Sequence, residues 1–438
     1  MEQRIKKPDI LNRVDGTLVS AALEVNQLFH FDGQMDNLVL LVSRNHSWVK
    51  LFRERGIRVF CLEQFTGQTA NSTARLLCNQ SSIDFLKELP SPVRVLMFKP
   101  DARTESTLAE HGIEIIGCNP SIARKLENKL LFPELAEQCG LPIASWQNLR
   151  LQIDSSGDSE QHGFEFPFIC QMAKGFSGNR TFLISNPADW RLVCKAFNGR
   201  NCRISRYLKG DTWTLNGCVR KNGQVVCSKA FLQHTRLLGN PDHSLPKRVG
   251  SRGITWYAQE QDIEHQHRES NLMNAMVKIG KVLHQRGYHG FYGADFLVPD
   301  AESEPGIMGI EVNPRVTASA CILTPLEMSP GTLSILECHI LDSISIEFQV
   351  DRVKTTSFSA GGQRIYREGD TIPSIIDVES GIYTIKKAGL QKSRPGFSSS
   401  ELAISEALIW RSESSETSGE QLRFVFTHPL PSVFLQLL

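Results

Sequence analysis

The sequence predicts a protein of mixed class, α/β in its first part and α+β in the rest. Three observations support this prediction. Strand-like apolar runs alternate with short helical segments up to residue 118, a second set of strands clusters around glycine-containing turns from residue 166, and strands return after residue 345. Because alternating strands and helices form βαβ units, we expect a Rossmann-like first domain with a parallel sheet. The predicted parts are 1–118, 119–345 and a small β-rich unit, 346–438.

Length and charge are consistent with three domains. The chain has 438 residues, and about 150 residues per domain is usual. Its 48 Lys and Arg against 47 Asp and Glu leave a formal net charge of +1. Proteins that coat nucleic acid or bind membranes through polybasic patches need a positive excess. We therefore expect neither a nucleic-acid partner nor a membrane partner.

The N-terminal segment and the cysteines indicate a cytoplasmic location. The N-terminus lacks the apolar stretch of a signal peptide, and no run approaches the roughly 18 apolar residues of a membrane span. The eleven cysteines are scattered without a C-x-x-C pair. Neither a disulfide framework nor a structural zinc site is indicated. We expect a reduced, cytoplasmic protein.

The elements of the first part are read from apolar runs and glycine stops. Helical segments end at Gly56 and Gly112, and no glycine-rich dinucleotide fingerprint follows the strands. The predicted strands are 38–43, 57–62, 93–98 and 113–118.

The middle part begins with a helical pattern from 121 to 140, with Gly140 as its expected C-cap. Polar stretches predict loops at 151–163 and 240–253. A further helix is predicted from about 269 to 286, since Leu272, Met276, Ile279 and Leu283 share one face. The predicted strands of this part are 166–172, 180–185, 202–208, 212–219, 224–232, 293–298 and 308–313.

A glycine-containing loop, KGFSGNR, joins two of these strands. Gly175 and Gly178 lie three residues apart, and Lys174 and Arg180 add positive charge. Backbone N–H groups of such a loop can close over phosphate oxygens. The spacing is not that of a Walker A loop. An ordinary surface hairpin turn is the alternative.

Carboxylates lie on two neighbouring predicted strands. Asp295 in GADFLV and Glu311 in GIEVNPR are 16 residues apart, and adjacent antiparallel strands can bring them together. Asn313 and Arg315 point to the same face as Glu311 because side chains alternate along a strand. Three oxygen ligands suit Mg²⁺, and Arg315 could hold a phosphoryl or carboxylate oxygen. The alternative is that one carboxylate pairs with Arg315 in a structural role.

Two other segments offer binding groups. Residues 202–219 contain a strand that ends near LKG, where a linker between lobes could present backbone groups to a base; a plain β-connection is the alternative. In the stretch 233–253, His234 and His243 could act as acid or base, although lone loop histidines more often face solvent. Three arginines of the stretch could recognise a carboxylate substrate, unless the loop is simply solvated. They are Arg236, Arg248 and Arg252.

In this order the segments resemble the ATP-grasp superfamily. The resemblance rests on NKLLFPELAEQCGLP, the glycine loop, a Y-L-x-G hinge, GADFLV and EVNPR, and covers about residues 119–345. It implies a two-lobed ATP-grasp core that holds ATP with Mg²⁺, or Mn²⁺ in its place, after a pre-ATP-grasp domain.

The resemblance also implies roles for individual residues. Asp295, Glu311 and Asn313 match the metal ligands, and Arg315 matches a residue near the transferred phosphoryl group. Lys129 matches a lysine that reaches nucleotide phosphate. The remaining nucleotide contacts would come from Gln171, Lys174, Gly175, Ser177, Gly178, Arg206, Tyr207 and Leu208.

Two positions depart from the family pattern. The family usually has Lys where Gln171 stands, and commonly an acidic residue where Ser205 stands, at the start of the hinge. Lys174 lies three residues after Gln171, and we hypothesise that it supplies the missing charge as a catalytic residue together with Arg315.

The function implied by the resemblance is a carboxylate-amine ligase that works through an acyl phosphate. Its partners would be a carboxylic acid and an amine, such as an amino acid, a peptide or a carrier-bound acyl group, and a homodimer is expected. A carboxylase of biotin-carboxylase type shares the core and is one alternative. A nucleotide-binding protein that has lost catalysis is another, suggested by Gln171 and Ser205.

Overall fold

The computed structural model of the chain describes most of its length. The described residues are 14–29, 36–153, 162–175, 180–239, 244–256, 263–300, 304, 306–327, 333–348, 360–367, 370–386, 389–413, 420–428 and 430.

The first part contains a five-stranded parallel sheet in the order β3-β2-β1-β4-β5. The α/β expectation is confirmed, and the predicted strands are present. Strand β1, at the centre of the sheet, was not predicted, because its TLVSAA sequence is poor in the β-branched and aromatic residues typical of strands. Its elements in chain order are β1 Thr17–Ala22, β2 Leu38–Val42, α1 Ser47–Glu54, β3 Arg58–Cys61, α2 Leu62–Thr66, α3 Thr73–Leu77, α4 Gln80–Lys87, β4 Val93–Leu96, α5 Ala102–Ala109 and β5 Ile113–Ile115.

The helical pattern at 121–140 forms two short helices, α6 Pro120–Leu126 and α7 Phe132–Gln138, so the prediction of one helix was wrong. Pro133 lies in the first turn of α7, where its missing N–H leaves no gap in the helix. A continuous helix would have lost a hydrogen bond there. Gly140 adopts φ +60° just beyond α7, in line with the expected C-cap.

Antiparallel strands build the rest of the chain into one connected sheet. Its main path runs β15-β14-β10-β12-β13-β16-β20-β19-β17-β18, while β6, β9, β7 and β8 form a branch that meets β13 at Phe182 and Arg248. The sequence patterns had not predicted β6 or α8. The elements are β6 Trp146–Arg150, β7 Phe168–Met172, β8 Thr181–Ile184, α8 Pro187–Ala196, β9 Asn201–Arg206, β10 Gly210–Val219, β11 Val225–Cys227, β12 Phe231–Leu238, β13 Arg248–Trp256, α9 Ile263–Gln285, β14 Gly290–Pro299, β15 Met308–Asn313, α10 Ala320–Glu327, α11 Ile335–Ser343, β16 Gly361–Arg367, β17 Gly381–Lys386, β18 Gly389–Arg394, β19 Glu406–Arg411 and β20 Glu420–Phe426.

Strand β13 corrects the prediction of a loop over 240–253. Its polar, glycine-containing sequence resembles a loop, yet its backbone pairs with β12 on one side and β16 on the other. Gly253 has φ +146°, and a Cβ there would lie 2.0 Å from the backbone oxygen of Gln363. The glycine therefore allows the two strands to approach each other, instead of marking a turn.

The long helix α9 packs its predicted apolar face into the core. The side chains of Leu272, Met276, Ile279 and Leu283 are at most 1% exposed, as the helical spacing predicts. The helix lies on β10 and β11. It supports the sheet from behind, on the side away from the cleft described below.

The predicted parts share buried surfaces. One apolar cluster contains Trp48 of the first part, Phe231 and Leu336 of the middle part, and Trp410 of the last. Strand β16 also continues the large sheet directly from β13. The proposed boundaries at 118 and 345 stay predictions.

Two expectations about the whole chain can be compared with the structure. All eleven cysteines are free thiols, and ten of them are buried. Within the described ranges, no helix has the length and hydropathy of a membrane span.

Candidate active site

The paired carboxylates lie opposite each other on β14 and β15. Asp295 is the cross-strand neighbour of Glu311, as expected for adjacent antiparallel strands. The amide nitrogen of Asn313 is 3.3 Å from Asp295 Oδ2 and 3.4 Å from Glu311 Oε1. The three side chains predicted as metal ligands therefore share one face of the sheet.

The two carboxylates have different pKa values. Burial, together with the neighbouring charge of Glu311, raises the pKa of Asp295 to about 7. Burial also acts to raise the pKa of Glu311, but Lys129, Arg203 and the hydrogen bond from Asn313 together outweigh it and hold that pKa below its usual value. Glu311 is thus the anion of the pair, and Asp295 takes up a proton near neutral pH.

The residues present fit a divalent cation. Asp295 and Glu311 are cross-strand neighbours, and Glu311 pairs with Lys129, whereas Asp295 has the neutral amide of Asn313 beside it. A hard cation would offset the remaining negative charge. No group of three or more His, Cys, Asp or Glu side chains suited to a metal occurs in the described part of the chain. A metal here would depend on the two carboxylates, oxygen ligands that suit Mg²⁺ or Mn²⁺. Asn313 would offer its amide oxygen only after its amide turns, because that oxygen now lies 3.0 Å from a terminal nitrogen of Arg315.

Lys129 connects the Asp295–Glu311 pair to the end of β7. Its ammonium group forms an ion pair with Glu311, and its backbone N–H donates to the oxygen of Ala173, 3.1 Å away, just after β7. Lys129 is 8% exposed. Its expected contact with nucleotide phosphate stays a prediction.

Arg315 has a carboxylate partner that the sequence did not suggest. Its Nε lies 3.1 Å from Glu127 Oε1, and one terminal nitrogen lies 3.0 Å from Asn313 Oδ1. Glu127 also pairs with Lys99, at 2.5 Å. Neither Asp295 nor Glu311 is therefore the ion-pair partner of Arg315, and the arginine helps to hold the amide of Asn313 in place.

A cleft of about 290 Å³ lies between the β6–β9 branch and the β14–β15 strands. The predicted hinge residues Arg206, Tyr207 and Leu208 line it. Its apolar lining includes Ile169 and Met308, which offers surfaces for a flat base. The volume is near the lower end of the range of about 300–1,000 Å³ for small-molecule sites.

Gln171 lines the cleft together with Arg203, a residue that the sequence analysis missed. The two are direct cross-strand neighbours on β7 and β9, and the guanidinium group of Arg203 donates to the amide oxygen of Gln171. A terminal nitrogen of Arg203 also lies 2.9 Å from the oxygen of Ile310. The sequence feature that could have indicated Arg203 is its position on an apolar strand, between Cys202 and Ile204, which are both buried in the core of the β6–β9 branch.

The glycine loop is only partly described. Lys174 is exposed, outside the cleft lining, and Gly175 follows it. Ser177 and Gly178 lie outside the described residues. The phosphate-flap hypothesis therefore stays a prediction.

The candidate substrate residues are in different surroundings. Arg236 lines the cleft, and Arg248 is exposed at the start of β13. Arg252 is buried, and two of its nitrogens pair with Asp370.

His234, a candidate acid or base, lies beside a hydroxyl group. Its Nε2 is 3.1 Å from Thr255 Oγ1, and burial together with Arg364 lowers the pKa of His234.

Of these arginines, Arg236 is placed best for a ligand in the cleft, because Asp370 already engages Arg252. His234 is held neutral at pH 7 beside Thr255. The other histidine considered, His243, lies outside the described residues.

Solved structures with a similar fold include enzymes in complex with nucleotides. A biotin carboxylase from Campylobacter jejuni in complex with β-γ-ATP aligns with a TM-score of 0.61 at 13% identity, over 93% of this chain and 86% of that one. An N5-carboxyaminoimidazole ribonucleotide synthetase bound to ADP gives a TM-score of 0.57 at 11% identity, over 96% and 94%. An L-amino acid ligase from Bacillus licheniformis gives 0.54 at 11% identity, over 94% and 92%.

These similarities show that the chain has the same fold as these enzymes, in agreement with the fold that the sequence resemblance implies. No protein-family model matches the chain. No curated protein matches it by sequence. The fold is therefore shown by structure, while the reaction has to be argued from the site.

Proposed function

We propose that this protein is an ATP-dependent carboxylate-amine ligase that forms an amide or peptide bond through an acyl phosphate. One observation carries the proposal: Asp295 and Glu311 face each other, and Ile310, next to Glu311, lines the same cleft as the hinge residues. Such a cleft accommodates a nucleotide with its base at the hinge and its phosphates at the carboxylates. Solved structures of the same fold include an L-amino acid ligase.

The position of each residue determines its role in the proposed reaction. The hinge and the apolar walls hold the base, and Asp295, Glu311 and Asn313 hold the metal. Bound Mg²⁺ supplies positive charge that offsets the charge on the phosphate oxygens. Lys129 and Arg315 add cationic charge beside the same pair. The chain thus contributes mainly positioning and charge neutralisation.

The proposed reaction balances as two displacements. A carboxylate oxygen of the acid attacks the γ-phosphorus of ATP, the bond from that phosphorus to the β–γ bridging oxygen breaks, and ADP leaves. The amine then attacks the carbonyl carbon of the acyl phosphate, and the carbon–oxygen bond to phosphate breaks. Inorganic phosphate leaves, and the nitrogen loses a proton to solvent. Arg236 is the candidate for binding the acid.

A carboxylase of biotin-carboxylase type is the second candidate. It is favoured by the alignment with the Campylobacter enzyme and by a biotin carboxylase domain dimer from Hydrogenobacter thermophilus, at TM-score 0.59 and 12% identity, in complex with MgADP and bicarbonate. In that case bicarbonate would replace the organic acid. An inactive nucleotide-binding protein, suggested by Gln171 and Ser205, would bind ATP without turnover. We propose a homodimer for each case.

ADP release with different substrates distinguishes these candidates. The purified chain is incubated with MgATP and a panel of acids and amino acids, or with bicarbonate and biotin. The ligase predicts ADP release that requires both an acid and an amine. Release that requires bicarbonate and biotin would instead indicate the carboxylase, and nucleotide binding without release would indicate the inactive protein.

Glu311→Gln tests the metal assignment in the same assay. It should lower Mg²⁺-dependent turnover at least about 100-fold, because it removes the anionic ligand. The exposed Glu110→Gln is the matched control and should keep wild-type turnover. Unchanged turnover in Glu311→Gln would contradict the assignment.

A further inference from the structure

Arg203 is a buried cation without a carboxylate partner. Its side chain is 5% exposed, and it donates to two neutral oxygens, the amide oxygen of Gln171 and the backbone oxygen of Ile310. The ring of Phe132 lies 5.4 Å from its guanidinium carbon. No carboxylate in the described part of the chain lies within ion-pair distance.

This arrangement leaves charge uncompensated. Burial lowers the pKa of Arg203 to about 10, even though Glu311 acts in the opposite direction, so the group stays charged at neutral pH. A buried charge is costly unless it is paired. The carboxylate of Glu311 is already held by Lys129. Nε of Arg203 is buried and has no hydrogen-bond partner.

The position of Arg203 indicates what would pair with it. The residue lines the cleft together with Arg206, where β9 ends at the hinge, and with Ile310, which precedes Glu311 on β15. If the base lies at the hinge and the metal at Asp295 and Glu311, the phosphate chain must cross this region. Its oxygens are the anionic groups that a guanidinium binds well.

We propose that Arg203 binds a phosphate oxygen of the nucleotide, and that Gln171 positions it. The inference rests on the proposed nucleotide binding and names a residue that supplies the charge absent at position 171. Gln171 and Arg203 are direct neighbours across two strands, so a cation on either one reaches the same part of the cleft. Lys174, exposed and outside the cleft lining, is not needed for this charge.

Binding of MgADP and of adenosine to matched variants tests the proposal. Arg203→Met should weaken MgADP at least about 10-fold by titration calorimetry and leave adenosine binding within about 2-fold, since adenosine has no phosphate. The double variant Gln171→Lys/Arg203→Gln moves the charge across the strand pair and should recover most of the MgADP affinity. Arg191→Met, an exposed arginine on α8 of the same lobe, should bind both ligands like wild type.

Three results would overturn the inference. Unchanged MgADP binding in Arg203→Met would exclude a phosphate contact, and an equal loss of MgADP and adenosine would indicate a purely structural role. If thermal unfolding shows that Arg203→Met does not fold, the double variant Gln171→Lys/Arg203→Gln provides the test. A double variant that folds but does not recover MgADP affinity would contradict the proposal. A wild-type chain that binds neither ligand would instead refute the proposed function.

Discussion

Asp295 and Glu311 occupy one buried site but hold protons differently. Lys129 contacts Glu311 directly, whereas Asp295 has the neutral hydroxyl of Thr214 and the amide of Asn313 as hydrogen-bonding neighbours. The ion pair therefore stabilises one negative charge and leaves the second exposed to repulsion. A site of this kind takes up either a proton or a cation.

The raised pKa of Asp295 predicts how stability depends on pH. Its folded pKa is about 7, against an ordinary value of 3.8, so its stabilising contribution is complete below about pH 4 and is lost as pH rises through 7. An asparagine at this position does not ionise, so it loses no stability over this pH range. In metal-free buffer, the free energy of unfolding of Asp295→Asn relative to wild type should rise by about 1–4 kcal/mol from pH 5 to pH 8.

Urea unfolding at both pH values provides the measurement. The matched control is Asp300→Asn, a half-exposed acid just after β14, whose difference from wild type should barely depend on pH. If the free energies of unfolding of wild type and Asp295→Asn depend on pH in the same way, the raised pKa of Asp295 is contradicted.

The sequence predicted some site residues better than others. Asp295, Glu311 and Asn313 could be grouped because alternation along two short, adjacent strands determines which side chains share a face. Arg203 could not, because its link to Gln171 depends on β7 and β9 pairing across 32 residues. Glu127 was missed for a similar reason, since its partner Arg315 is 188 residues away.

At the level of elements, the periodic pattern of α9 was reliable, whereas the glycines of β13 were misleading. Helix α9 has four buried residues at helical spacing, so local periodicity was sufficient to predict it. Strand β13 lacks apolar alternation in its first half and contains two glycines. Its conformation is determined by the backbones of β12 and β16, which are distant in sequence.

Gly253 allows a direct test of this strand pairing. Gly253→Ala would place a Cβ 2.0 Å from the Gln363 oxygen in a backbone conformation that suits glycine. We expect it to lower the free energy of unfolding by about 2 kcal/mol or more, and to increase hydrogen exchange along β13 and β16.

Gly239→Ala is the control for this substitution. Gly239 follows β12, has open space around its Cβ position and lies outside the left-handed region. Its replacement should change the free energy of unfolding by less than about 0.5 kcal/mol. Equal effects of the two substitutions would mean that close approach at Gly253 is unimportant.

At the scale of the whole molecule, the predicted last unit is joined closely to the rest. Asn26 of the first part donates to Glu420 of β20 at 3.1 Å, and Arg423 holds the same carboxylate at 2.7 Å. Strand β16 extends the large sheet from β13. The sequence predicted strands here, but their joining to the core depends on long-range pairing that local patterns do not encode.

The near-zero net charge of the chain conceals a local separation of charge. Lys129, Arg203 and Arg315 lie near Glu311 and Asp295, and Arg203 also lines the cleft. Such a site suits a polyphosphate with its metal, and the proposed ligase reaction uses both. The reaction is therefore the central claim to be tested.

The fate of carboxylate oxygen tests that claim most directly. An acid labelled with ¹⁸O in its carboxylate is incubated with the chain, MgATP and an amine, and the phosphate and organic products are analysed by mass spectrometry. We predict one ¹⁸O atom in each phosphate released, together with an equimolar amount of amide. Phosphate without ¹⁸O, or ADP release without an amide, would contradict the proposed ligase.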